Sequence, residues 1–127
     1  MPHQTKRIEV LVEGLNQLWI QEKFDELENY FHNKAVMIKP GSLDTITGRS
    51  AIVESYEEFM SEAEVTDFKI ADMDIHVFEH TAIVIYTFRI RYQVETTRYD
   101  EKGTETLVFN RHDDQWQIVW RNQLPGT

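Results

Sequence analysis

The chain contains no cysteine, which removes disulfides, thiolate metal sites and a thiol nucleophile at once. Glycine is scarce and scattered, five residues in 127, so there is no phosphate-cradling glycine run, and nucleotide binding of that kind lacks support. No serine stands in a nucleophile-type motif, and nucleophilic hydrolysis lacks support too. Positive charge is in deficit: 13 basic against 22 acidic side chains, a formal net charge of -9. Such a surface repels a phosphate backbone, and no nucleic-acid partner is expected. No apolar run approaches the roughly 18 to 20 residues of a membrane span, and the N-terminal MPHQTKRIEV has no long apolar core after its positive charges. No membrane partner is expected, and a cytoplasmic protein is the default.

What is present is the composition of a folded globular chain, and 127 residues suit one domain, 1–127, better than two. Ile8, Leu11, Val12, Leu15, Leu18 and Trp19 recur at the three-and-four spacing of one helix face, which predicts a helix from about Thr5 to Gln21. Phe24, Leu27 and Phe31 predict a second, shorter helical segment, with Asp25, Glu26 and Glu28 turned outward. Ala35-Val36-Met37-Ile38 reads as a brief strand ended by Lys39-Pro40-Gly41. After a loop to Thr47, Ile52, Tyr56, Phe59 and Met60 mark a third helix to about Ala63.

The period then changes from helical to two. Phe68 and Ile70, followed by Met73, Ile75 and Val77, slip phase near Ala71-Asp72, as a β-bulge would cause. Thr81 to Tyr99 alternates at length, with Ala82, Val84, Tyr86, Phe88, Ile90, Tyr92 and Val94 on one face and Arg89 and Arg91 on the other. Asp100-Glu101-Lys102-Gly103 reads as a turn by composition. Glu105 to Gln123 reads as a hairpin closed at His112-Asp113-Asp114-Gln115. Three helices followed by four meandering strands, which the Ala35 strand could extend, predict an α+β fold with the helices on one face of a mainly antiparallel sheet.

Over nearly its whole length the chain resembles the nuclear transport factor 2-like superfamily. The resemblance is carried by Trp19 late in helix one, Phe24-Asp25-Glu26-Leu27 before Tyr30-Phe31-His32, Ala35-Val36-Met37, Gly48-Arg49, Thr81-Ala82-Ile83-Val84 and Trp116-Gln117-Ile118-Val119. It implies a cystatin-like cone, three N-terminal helices packed on a curved sheet around a pocket, and it implies homodimers. Within the superfamily the chain is similar to SnoaL-like polyketide cyclases, ketosteroid isomerases and the association domain of calcium/calmodulin-dependent kinase. The last would place a pocket arginine at Leu107, with another corresponding to Arg89.

The chemistry of those relatives does not carry over residue by residue. Where the isomerases place a carboxylate base before a proline, this chain has Lys39. Their oxyanion tyrosine falls at about Leu15 and its acidic partner at about Val108. Only Tyr56 matches their tyrosine network, so the candidates for acid-base chemistry are Lys39 and Tyr56, with Arg89 if it points inward. His76 and His80 are four apart, which on a strand separates them by about 13 Å, so no metal site is expected; no cofactor is expected either. The expected ligand-binding residues are Trp19, Phe31, Met37, Tyr56, Tyr86, Arg89, Phe109, Trp120 and Arg121, around a small molecule that is apolar or bears a carboxylate. Strand alternation leaves open which of Trp120 and Arg121 faces the pocket. Arg121 with Gln123 inside would favour an acidic ligand, and Trp120 with Asn122 a neutral one. The function expected is a small-molecule-binding domain, the alternative being a SnoaL-like enzyme acting on a small hydrophobic substrate.

Overall fold

The structure, a computed structural model, describes residues 2–126. Helix α1 (Pro2–Ile20) buries Ile8, Val12, Leu15 and Trp19, the stripe expected from their spacing. It stops where Glu22 turns left-handed at φ 60°. The Lys23 N–H then donates to the Leu18 carbonyl and the Glu22 N–H to Trp19, a Schellman closure that occupies otherwise orphaned carbonyls. Helix α2 (Phe24–Leu27) runs into a 3-10 turn (Glu28–Tyr30). Phe31, expected on that helix, instead opens strand β1 (Phe31–Ile38). Strand β2 (Thr45–Thr47) follows, then helix α3 (Arg49–Glu62), which buries Ile52, Val53 and Tyr56. Gly48 precedes α3 at φ 98°, a conformation natural to glycine. Its N–H donates to the Ala35 carbonyl, tying the helix start to β1.

The remaining chain is strand: β3 (Ala63–Phe78), β4 (Thr81–Val94), β5 (Thr97–His112) and β6 (Gln115–Pro125). The sheet order is β2-β1-β6-β5-β4-β3, with β1 parallel to β6 and every other neighbour antiparallel. The sheet is therefore six-stranded: β1 extends the four meandering strands, as the Ala35 run suggested, β2 adds a further edge strand, and the whole curves around α1 and α3 as an α+β cone. The slip at Ala71-Asp72 is present as a break in register between Ala71 and Asp74, with Asp72 at φ 55°.

Asp100 to Gly103 is not a turn. Those residues pair with β4 opposite Arg91, Ile90, Arg89 and Phe88, and the chain reverses at Glu95-Thr96, where Glu95 adopts φ 55°. Charge density made the stretch look like a loop, but this end of β5 runs past the end of β6 with the side chains of Asp100, Glu101 and Lys102 in solvent, where a strand tolerates charge. The β5–β6 hairpin closes at Asp113 and Asp114, both left-handed, the geometry of a tight turn matched to strand twist.

One irregularity governs the interior. Val108 pairs with Trp120, but the next β5 residue, Phe109, pairs with Ile118, leaving Val119 as an extra residue in β6. The bulge exchanges the faces of the strand. Trp116 and Ile118 point into the core, Trp120 turns to the outer face opposite Val36, and Arg121 returns inward opposite Leu107 and Met37.

Candidate functional site

Inside the cone, side chains from five elements meet in one polar network within an apolar shell. Glu105 is 2% exposed and Arg121 8%. The Arg121 Nε donates to Glu105 Oε1, and its Nη1 lies against Met37 Sδ. The other carboxylate oxygen, Oε2, accepts from the Tyr86 hydroxyl at 2.7 Å and from Gln123 Nε2 at 3.4 Å. Tyr86 in turn accepts from Asn16 Nδ2 at 3.3 Å, and Asn16 Oδ1 accepts the Trp19 indole N–H at 2.8 Å. A continuous run of hydrogen bonds thus joins helix α1 to β4, β5 and β6.

Tyr56 completes the group. Its ring lies under the Arg121 guanidinium, 4.7 Å from centroid to Cζ, a favourable cation–π contact. Trp19 and Phe31 flank it at 6.0 and 6.3 Å between ring centroids. Neither the Tyr56 hydroxyl nor Arg121 Nη2 makes a hydrogen bond within the described residues. Among those residues no side-chain nitrogen or oxygen that is sealed from solvent lacks a partner. Both atoms therefore keep contact with solvent, though the residues that carry them are buried.

The electrostatics follow from this packing. Burial pushes the Tyr56 and Tyr86 phenols above their ordinary range; Glu105 adds to both, while Arg121 partly opposes the effect at Tyr56. Burial works against the Arg121 charge, but Glu105 more than offsets it and the guanidinium is held more firmly protonated. Tyr92 is pushed up to about 12 by burial and by its bond to Glu101. A phenol whose folded pKa exceeds its unfolded value of about 10 contributes stability in full below that value. The contribution is lost as pH rises through the folded value. Unfolding midpoints are expected to hold up to about pH 10 and to fall steeply as pH approaches 12. A phenolate absorbance titration that shows every tyrosine ionising at its free-peptide pH, with stability unchanged, would contradict this.

Of the residues singled out in the sequence, Trp19, Phe31, Met37, Tyr56, Tyr86, Phe109 and Arg121 are buried in the interior. Trp120 is on the outer face. Arg89 is on that face too, where Asp100 holds it through two hydrogen bonds of 2.9 and 2.7 Å. Lys39 is exposed beside the turn that its carbonyl closes with Ser42. His76 pairs with Asp74 at 2.9 Å and His80 contacts Arg111, so the two point to separate neighbours. Asn16 and Glu105 were not anticipated. Both carried a signal: Asn16 interrupts the apolar stripe of α1 between Val12 and Trp19, and Glu105 shares its strand phase with Leu107 and Phe109.

Two open surface depressions lie away from this interior. One, of about 450 Å³, sits at the hairpin ends among His80, Arg111 and His112. The other, of about 280 Å³, surrounds Lys69, Arg89 and Lys102. Among the described residues no helix is long and apolar enough to cross a membrane.

The family model of the SnoaL-like domain matches residues 8–122. The chain belongs to that family. No curated protein matches this SnoaL-like chain. Solved structures do. A candidate dehydratase of the nuclear transport factor 2-like family from Streptomyces avermitilis superposes with a TM-score of 0.88 at 17% identity, over 100% of this chain and 99% of the other. A candidate scytalone dehydratase from Novosphingobium aromaticivorans gives 0.82 at 19%, over 98% and 85%. The hub of a calcium/calmodulin-dependent kinase II from S. rosetta gives 0.80 at 12%, over 95% of each. At such identities the SnoaL-like chain shares the nuclear transport factor 2-like fold with these proteins, and the fold alone is what the likeness carries.

Proposed function

We propose that this SnoaL-like chain works as a single domain that binds a small, flat, neutral molecule inside its cone and performs no chemistry of its own. The observation that carries the reading is the mutual engagement of Glu105 with Arg121, Tyr86 and Gln123. These groups satisfy one another, and the polar atoms left for a guest are the Tyr56 hydroxyl and Arg121 Nη2, each able to donate, beside the rings of Trp19 and Phe31. A flat apolar molecule carrying a carbonyl or similar neutral acceptor matches that lining. The enzyme alternative is less well supported. Of Lys39, Tyr56 and Arg89, Tyr56 alone lies in the interior, and burial raises its phenol away from the range useful for proton abstraction near neutral pH.

The test is a thermal-shift and calorimetric screen of flat aromatic ketones and phenols. Binding to the native state raises the melting temperature by mass action. Tyr56→Phe is expected to leave the fold intact, because the hydroxyl has no partner in the protein, and to weaken the best binder about tenfold, the worth of one hydrogen bond. A screen without a single stabilising aromatic, or equal affinity in the variant, would overturn the reading.

Self-association through the outer face of the sheet belongs to the same proposal. Val36, Trp120, Val108 and Ile83 form a cross-strand apolar row over four strands, and Ile85 beside it is exposed. Such rows are rarely left to solvent. Light scattering is expected to give a dimer that Ile85→Glu dissociates; a wild-type monomer at high concentration would remove the idea.

A further inference from the structure

We propose that Glu105 is an internal ligand: its carboxylate occupies an anion seat built by Arg121, Tyr86 and Gln123, and by filling that seat it sets the interior to accept uncharged molecules. The inference deepens the proposed binding role and rests on it for its meaning in the wild-type protein. Donors from β4 and β6 converge on both oxygens of one carboxylate, the arrangement by which a protein grips a bound carboxylate. That carboxylate happens to belong to the chain.

Its position has no explanation in stability. Glu105 stands in the core phase of β5, alternating with Leu107 and Phe109, where an apolar residue would fit the pattern. Well-packed apolar replacements of a buried ion pair are often neutral or stabilising. The pair does have a consequence for recognition. With Glu105 in place, the charge of Arg121 is compensated, and a second carboxylate entering the cone would meet the first. Without Glu105, Arg121, Tyr86 and Gln123 would present three donors to an empty space of carboxylate size.

The experiment is chemical rescue of the full chain. Glu105→Ala is expected to melt well below wild type, and acetate or formate, compared with chloride at equal ionic strength, is expected to raise its melting temperature by about 5 °C at roughly ten times the dissociation constant. Wild type should not respond, and Glu105→Ala combined with Arg121→Met should lose the response. Equal effects of acetate and chloride on the single variant, or an equal acetate response in wild type, would overturn the proposal. Should Glu105→Ala not fold, Glu105→Gln keeps the shape and removes the charge. It is then expected to bind benzoate at least about tenfold more tightly than wild type, as a charge-assisted hydrogen bond warrants; equal binding would again overturn the assignment. The two readings fail separately. If wild type binds no neutral aromatic, the proposed function falls while the rescue can still appear. If the rescue is missing, neutral binding by wild type is untouched.

Discussion

Arg121→Met is expected to destabilise the protein by about 3–5 kcal/mol, because it strands the Glu105 carboxylate in the core without its counter-charge. Tyr86 and Gln123 would still donate to the carboxylate, but neither carries charge. For a domain of this size the loss corresponds to roughly 10–25 °C in melting temperature, enough to leave the variant near the limit of total stability, since whole domains hold only about 5–15 kcal/mol. The informative comparison is Glu105→Met with Arg121→Met. Removing both charges leaves Tyr86 its bond with Asn16, and the double variant is expected to recover most of the loss. Denaturant titrations of the four proteins give the coupling energy directly. A single variant as stable as wild type would mean that the buried pair described above does not exist in solution.

Insertion of one alanine between Trp120 and Arg121 is expected to be more damaging than any substitution near it. Val119, the extra residue of β6, is only half-buried, and its side chain can be changed at small cost. The bulge it forms, however, sets the phase of everything that follows in β6. One more residue steps that phase again, which turns Arg121 and Gln123 to the outer face and puts a bare methyl opposite Leu107 where the guanidinium stood. Glu105 would lose its charged partner in the same step. The insertion should yield no cooperative unfolding transition, whereas Val119→Ala should melt within a few degrees of wild type, a prediction that calorimetry on the pair decides. A folded, cooperative insertion variant would show that β6 absorbs an extra residue without giving up its register.

The same residue explains where the sequence was legible and where it was not. Helical spacing was enough to place the α1 stripe, and period-two alternation put Tyr86 inward and Arg89 outward on β4, as the structure has them. The bulge of β3 could be read because the apolar phase visibly slips between Ile70 and Met73. The β6 bulge leaves no such trace. Trp116, Ile118 and Trp120 keep an unbroken apolar alternation with Val119 apolar between them, and pattern alone leaves open whether Trp120 or Arg121 is inside. The observation that decides it lies on the neighbouring strand, in a carboxylate at core phase that demands a cation opposite. Local rules see one strand at a time, and a buried ion pair is a property of two. The misplaced turn at Asp100–Gly103 has a related cause: a charged, solvent-exposed strand end has the composition of a loop, and only its pairing with β4 distinguishes the two.

Strand β3 is among the longest in the sheet and forms one of its edges, with unpaired backbone groups on its outer side. A long regular edge of that kind is a template for uncontrolled association with other chains. Here the breaks in register after Val65 and Ala71 interrupt the template, and Glu64, Asp67, Lys69, Asp72 and Asp74 crowd charge along it. No stretch of regular, uncharged edge remains long enough to recruit a foreign strand. The irregularities that bend the cone therefore also guard it against fibrillar aggregation.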